Sequence, residues 1–285
     1  MKGLTALVYI VSFYTLITSA PSYSEMRNDI PSCYENLNVD SPSVEAGRDF
    51  FVIIDGTFDP DLNLKRSIHN KVHGFMKPND RISIVSFSSY IGDSYTALQF
   101  SGELEPQIPT KDRSSISKKV LKRFDHCMAQ QRAFSRGAID SAIKSSFKLE
   151  GVEVPKSEIV ANLSHLLEPL LEEGSSGGSD NSKIVLIVSD MLENSDITSF
   201  YKSGEVRVVD AQIEMDKMKS GGYVSNWQGA KVYVIGAGWV PEKYRGKFRG
   251  SNVMKSLQNF WKLYFESSNA TLIAFGQPEL MQELR

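Results

Sequence analysis

Phe50 to Asp61 reads Phe-Phe-Val-Ile-Ile-Asp-Gly-Thr-Phe-Asp-Pro-Asp, a block of bulky apolar residues followed at once by acids and a hydroxyl. A run this short and this apolar is the pattern of a strand covered on both faces. Such strands belong to parallel sheets, whose ligand sites lie beyond their carboxyl ends. The stretch therefore predicts both an architecture and a place to look for function. Two later runs share its character: Lys183 to Ser189, which ends in Asp190, and Lys231 to Gly236, which leads into Ala237-Gly238.

Between these runs the period changes. Leu62, Leu64, Ile68, Val72, Phe75 and Met76 recur at helical spacing, with Asp59 or Asp61 placed to cap the helix and Pro78-Asn79 to stop it. Arg81 to Ser88 alternates as a strand should, and Ser94 to Phe100 follows as a third strand. Helices are expected at 115–130, 135–147, 157–172, 210–219 and 251–265, and a last strand at Thr271 to Phe275. The spacing of Phe260, Trp261, Tyr264 and Phe265 on the last helix is that of core packing. Strands alternating with helices predict an α/β fold, doubly wound, with a mostly parallel central sheet and helices on both faces. We assign it to one domain spanning 47–285, with 174–182 as a Gly/Ser-rich connector.

The chain begins with Lys2, the apolar stretch Leu4 to Ile17, and then Thr18-Ser19-Ala20 before Pro21, which has the order of a cleaved signal peptide over 1–20. Residues 21–46 are polar and proline-spotted and predict an irregular lead-in. No later segment is long and apolar enough to span a bilayer. The mature chain is thus expected to be exported, periplasmic or extracellular, with no stable membrane span after signal cleavage. In an oxidising compartment Cys33 and Cys127 form the one possible internal pair, closing a loop of 94 residues worth about 4–5 kcal/mol on the chain-entropy model. The other reading leaves two unpaired thiols. With 32 basic and 34 acidic residues the formal charge is -2, so no global field draws nucleic acid. One local cationic face remains, Lys243, Arg245, Lys247 and Arg249 alternating with Tyr244 and Phe248, a possible contact for an acidic partner.

Three families share fragments of the opening stretch. Gly56-Thr57-Phe58-Asp59-Pro60 resembles the cytidylyltransferase-type nucleotidyltransferase motif, but Leu62 and Lys65 stand where that chemistry needs two histidines. Ile53-Ile54-Asp55-Gly56-Thr57 resembles the haloacid-dehalogenase phosphatase motif, but Ile53 stands where the nucleophilic aspartate belongs. The third resemblance, to the von Willebrand factor A domain family, covers most of the mature chain. Asp55 and Thr57 match the family's first metal-site motif, with Asp59 where serine is usual. Pro78-Asn79-Asp80-Arg81-Ile82-Ser83-Ile84-Val85-Ser86-Phe87-Ser88-Ser89 resembles the family's helix end and second strand, and Ser189-Asp190 its third metal-site motif. The remaining motif, a threonine on a loop before a helix, best matches Ala133, with Ser135 as a displaced candidate.

The resemblance implies a degenerate adhesion-type metal site made of Asp55, Thr57, Asp59, Asp190 and Ser135, where a divalent cation takes a carboxylate from a protein partner. Physics points the same way. Carboxylates of Asp55, Asp59 and Asp190 brought to about 5 Å would repel by roughly 3 kcal/mol per pair at an effective dielectric of 20, so the cluster favours a cation. Hard oxygen ligands select Mg²⁺, Ca²⁺ or Mn²⁺ over zinc. The expected function is protein binding, in adhesion or assembly, without catalysis. The alternative is a metal-dependent, phosphatase-like hydrolase using the same carboxylates. His69 and His73 stand four apart on the first long helix, a zinc-compatible spacing, but Asn70 replaces the glutamate of the metalloprotease motif and the sequence offers no evident third ligand.

Overall fold

The computed structural model describes residues 27–42, 47–90, 93–147, 157–174, 182–240 and 250–285. The signal segment and the cationic run Lys243, Arg245, Lys247 and Arg249 lie outside the described residues, as does most of the Gly/Ser connector. In chain order the elements are α1 (Cys33–Leu37), β1 (Asp49–Asp55), α2 (Leu62–Phe75), β2 (Arg81–Tyr90), β3 (Asp93–Glu103), α3 (Lys118–Ser146), α4 (Ile159–Gly174), β4 (Lys183–Val188), β5 (Tyr201–Lys202), β6 (Glu205–Val206), α5 (Ala211–Ser220), β7 (Ala230–Ile235), α6 (Ser251–Ser267) and β8 (Ala270–Phe275). Six strands form one sheet in the order β3-β2-β1-β4-β7-β8. Every neighbouring pair in it is parallel except β2 with β3, while β5 and β6 form a separate small ribbon.

The sheet is doubly wound because β1 sends successive side chains to opposite cores. Phe50, Val52 and Ile54 pack with Leu64, Ile68 and Val72 of α2 and with Ile139 and Ile143 of α3. Phe51 and Ile53 face the other way, into a core built from α4, α5 and the aromatic face of α6. Period two in the strand thus meets period 3.6 in the helices, which is why the apolar runs of β1 and β4 are unbroken. Phe260, Trp261, Tyr264 and Phe265 are all buried, as their spacing predicts.

Local signals fix the ends. Asp61, rather than Asp59, caps α2, its carboxylate accepting from the Leu64 amide at 2.9 Å. Gly236 has φ +105 after β7, and a Cβ there would lie 2.7 Å from the Phe58 ring and 2.8 Å from the Ser189 carbonyl. Only glycine lets those two loops meet.

One helix departs from expectation. The two helices predicted at 115–130 and 135–147 are one 29-residue helix, α3, running through the polar stretch around Arg132. The N-terminal lead-in also carries more order than its composition predicts. Residues 27–30 lie along the outer edge of β3, where the Asp29 amide donates to the Ser101 carbonyl at 2.7 Å and its carboxylate accepts from the Ser101 amide at 3.0 Å. Just beyond, Cys33 of α1 is bridged to Cys127 of α3, with the Cα atoms 5.8 Å apart. Tyr34, Ile108, Phe124 and Met128 close a small third core around the bridge.

Candidate functional site at the carboxyl edge of the sheet

Strand order reverses direction at β1: β2 lies on one side of it and β4 on the other. Loops leaving β1 and β4 therefore diverge, opening the kind of crevice in which doubly wound sheets bind ligands. Asp55, the last residue of β1, lies at this reversal point at 1% exposure.

Its carboxylate is enclosed by hydroxyls. Oδ1 accepts from the Thr57 amide at 2.9 Å and from Thr57 Oγ1 at 2.6 Å. Oδ2 accepts from Ser189 Oγ at 3.0 Å and, more loosely, from Ser157 Oγ at 3.5 Å. Ser157 Oγ also lies 3.5 Å from Thr57 Oγ1, so the hydroxyls of Thr57 and Ser157 adjoin one another. Burial pushes the Asp55 carboxyl up, against the hydrogen bonds from Thr57, Ser189 and Ser157 that pull it down.

Asp190 follows Ser189 at the end of β4. Burial first, and then the charge of Asp55, push its carboxyl up to about 8, opposed by the hydrogen bond that it accepts from the Leu192 amide at 2.9 Å. Glu193 is fully buried nearby, accepting from the Val160 amide at 2.8 Å, and burial raises its carboxyl to about 7. The Tyr201 hydroxyl is raised as well, by burial and by the charges of Asp190 and Asp55. The influences on both strand-end acids thus come from burial, hydroxyls, amides and other acids.

The loop bearing Asp190 is held in a demanding conformation. Met191 has φ +59, a left-handed backbone that is rare for a side chain of its size. Its amide donates to Ser189 Oγ at 2.9 Å and its carbonyl accepts from the Trp261 indole at 2.9 Å. Both contacts fix the turn that follows Asp190, and strain of this kind persists only where the surroundings over-determine it.

Of the residues singled out in the sequence, Asp55, Thr57 and Asp190 come together at this edge. Asp59 does not enter the hydroxyl cage: it points to solvent, 75% exposed at its side chain, and pairs with Lys65 at 2.9 Å. Ser135 is also elsewhere. Because α3 is continuous, Ser135 lies mid-helix with its hydroxyl donating to the Gln131 carbonyl at 2.7 Å, and it lines a cavity beside Lys77 and Pro78 at the opposite edge of the sheet. A hydroxyl on a loop before a helix is present, but it is Ser157, two residues ahead of α4. Reciprocal backbone hydrogen bonds with Asn194, both 2.9 Å, hold Ser157 in position. In the sequence Ser157 reads as the start of a helix, and Ser189, although quoted with Asp190 in a metal-site motif, is not singled out as a site residue. The signal that could have found Ser189 was its place beside Asp190.

The donor set fits a hard divalent cation: a buried carboxylate, a second carboxylate beside it and several hydroxyl oxygens, with no sulfur or nitrogen ligand among those named. The hydroxyls that now donate to Asp55 can turn their lone pairs toward an ion without any backbone movement.

No family model matches this chain, and no curated protein matches it. Among solved structures it is similar to an aerotolerance-related membrane protein from Bacteroides fragilis, at 13% identity and TM-score 0.35 over 80% of this chain and 90% of that one. It is also similar to the pilus adhesin SpaC from Lactobacillus rhamnosus GG in its open conformation, at 13% identity and TM-score 0.36 over 84% of this chain and 29% of the adhesin. At that level of superposition neither protein's role transfers to this one.

Proposed function

We propose that this is an exported protein-binding domain of the von Willebrand factor A type, whose sheet edge at Asp55 holds a divalent cation and through it a carboxylate of a protein partner. The observation that carries the reading is the enclosure of Asp55 by the hydroxyls of Thr57, Ser157 and Ser189, with Asp190 beside it, at the strand-order reversal. Two acids both raised by burial are stabilised by a positive ion, and Mg²⁺, Ca²⁺ or Mn²⁺ suits an all-oxygen cage. When bound, the ion would supply an open coordination position for an anionic oxygen of the partner. Asp55 and Asp190 would hold it, while Thr57, Ser157 and Ser189 orient the carboxylate oxygens. The Cys33–Cys127 bridge is compatible with an oxidising compartment, and no helix among the described residues is long and apolar enough to cross a membrane.

Thermal unfolding of the mature protein in chelator, then with each of the three cations, tests the reading. The expected result is a rise in midpoint with at least one cation, absent in Asp55→Ala. A midpoint indifferent to every cation at saturating concentration would remove the metal from the proposal. A second reading draws on one specific observation. Asp55 and Asp190 adjoin one another at the strand ends, and as ligands they could equally hold the ion of a metal-dependent, phosphatase-like hydrolase. Turnover of a generic phosphate ester that disappears in Asp55→Ala would favour that reading, and cation-dependent capture of a protein partner the first.

A further inference from the structure

His69 and His73 lie one turn apart on α2, on the flank beside its buried stripe of Leu64, Ile68, Val72 and Phe75. The sequence supplies no third ligand near them, but the fold does. Asp140, from the facing flank of α3, places a single oxygen, Oδ1, 2.6 Å from His69 Nδ1 and 2.8 Å from His73 Nε2. The three atoms all lie within 4.8 Å of one another. Burial acts to raise the Asp140 carboxyl, but the hydrogen bonds and charges of His73 and His69 outweigh it and hold the group below the usual carboxylate range.

We propose that His69, His73 and Asp140 form a second metal site, specific for a zinc-class transition ion and independent of the strand-end cage. Imidazole nitrogens with one carboxylate suit Zn²⁺, Co²⁺, Ni²⁺ or Cu²⁺, whereas Mg²⁺ and Ca²⁺ prefer oxygen alone. Metal–ligand distances of about 2.0–2.1 Å put neighbouring ligand atoms of a tetrahedral ion roughly 3.3 Å apart. The present spacings reach that value through side-chain torsions at a helix rim. All three side chains are accessible, at 28%, 25% and 50% exposure, so the ion can enter without opening the fold.

Three protein ligands leave the fourth position to water or an exogenous group, the arrangement of zinc sites that remain open. His73 also lines a cavity of about 120 Å³ together with Lys77, Arg132 and Arg136, three cations that outnumber the one acid there, Glu105. Those cations oppose the bound ion and favour an anion as its fourth ligand. The site therefore binds its ion more weakly than a closed four-ligand site and takes up small anions once loaded.

The test uses the mature chain with its disulfide intact and no affinity tag, titrated with Co²⁺ alone and then with Zn²⁺. The expected result is one equivalent of Co²⁺ with the strong visible absorption of a four-coordinate ion, displaced by Zn²⁺. His69→Gln with His73→Gln should abolish the band, and Asp140→Asn should weaken binding by about 10- to 100-fold or more. Asp55→Asn should leave the band unchanged, so failure here is distinguishable from failure of the strand-end site. The ion-free melting midpoint of the double variant should match the parent, excluding loss through misfolding. Absence of the band in the parent chain overturns the proposal, as does its survival in the double histidine variant or unchanged affinity in Asp140→Asn.

Discussion

At the strand end Asp55 is buried among hydroxyls and amides, and its carboxyl is pushed up; at the rim between α2 and α3 Asp140 is half exposed between two imidazoles, and its carboxyl is held down. Both clusters are polar, both contain a carboxylate, and both are assembled from residues far apart in sequence. They differ in what surrounds the charge. Burial among hydroxyls, amides and other acids leaves an acid that favours a proton or a hard cation. Partial exposure beside histidines gives an acid held in its ionised form next to nitrogen ligands that suit a softer ion. One chain thus carries two sites with opposite preferences.

The contrast breaks first under mutation. Asp55→Ala strips the acceptor from the Thr57 and Ser189 hydroxyls inside the fold and is expected to cost about 3 kcal/mol, read as a shift in urea midpoint. A cost below about 1 kcal/mol would mean that the cage is looser than its distances imply. The pH dependence should follow next. The native Asp190 carboxyl sits at about 8, above its unfolded value near 4, so the native state holds the extra proton. Stability in chelator should accordingly fall as pH rises from about 4 to about 8, with Glu193 adding to the fall up to about 7. Asp190→Asn should flatten that decline and, in chelator near pH 8, stabilise the protein by roughly 1–2 kcal/mol, because a half-buried charge beside Asp55 is gone. A pH profile identical to the parent would separate Asp190 from the effect.

The smallest change is expected at the rim. Asp140→Ala removes partly exposed ion pairs and should cost less than about 1 kcal/mol, declining further in high salt. If its cost rivalled that of Asp55→Ala, the two regions would not differ in the way their burial implies.

Much of the architecture was legible because burial on both faces writes itself as an unbroken apolar run. Phe50 to Ile54 and Ile184 to Val188 could be read as central strands, and their acidic ends located the cage. The span of α3 was not legible: only one face of it packs, and Gln131 to Ser135 reads locally as a break although the helix continues. Nor was Asp140, because its meeting with His69 and His73 depends on how two helices lie together and leaves no mark on sequence spacing. Asp59 misled for a simpler reason: an acid at a strand end can serve the surface, and Lys65 one turn into α2 claims it.

The stretch 27–30 that borders β3 has a consequence for where this chain can safely fold. Its hydrogen bonds occupy the outer edge of the sheet's one antiparallel strand, and the Cys33–Cys127 bridge staples it there, restraining a loop worth about 4–5 kcal/mol. Before oxidation that cover is held by a few hydrogen bonds and the packing of Ile30, and an uncovered edge is a template for another strand. The disulfide is thus expected to tie solubility to the compartment: without it the rim is more readily uncovered, and oxidation seals it.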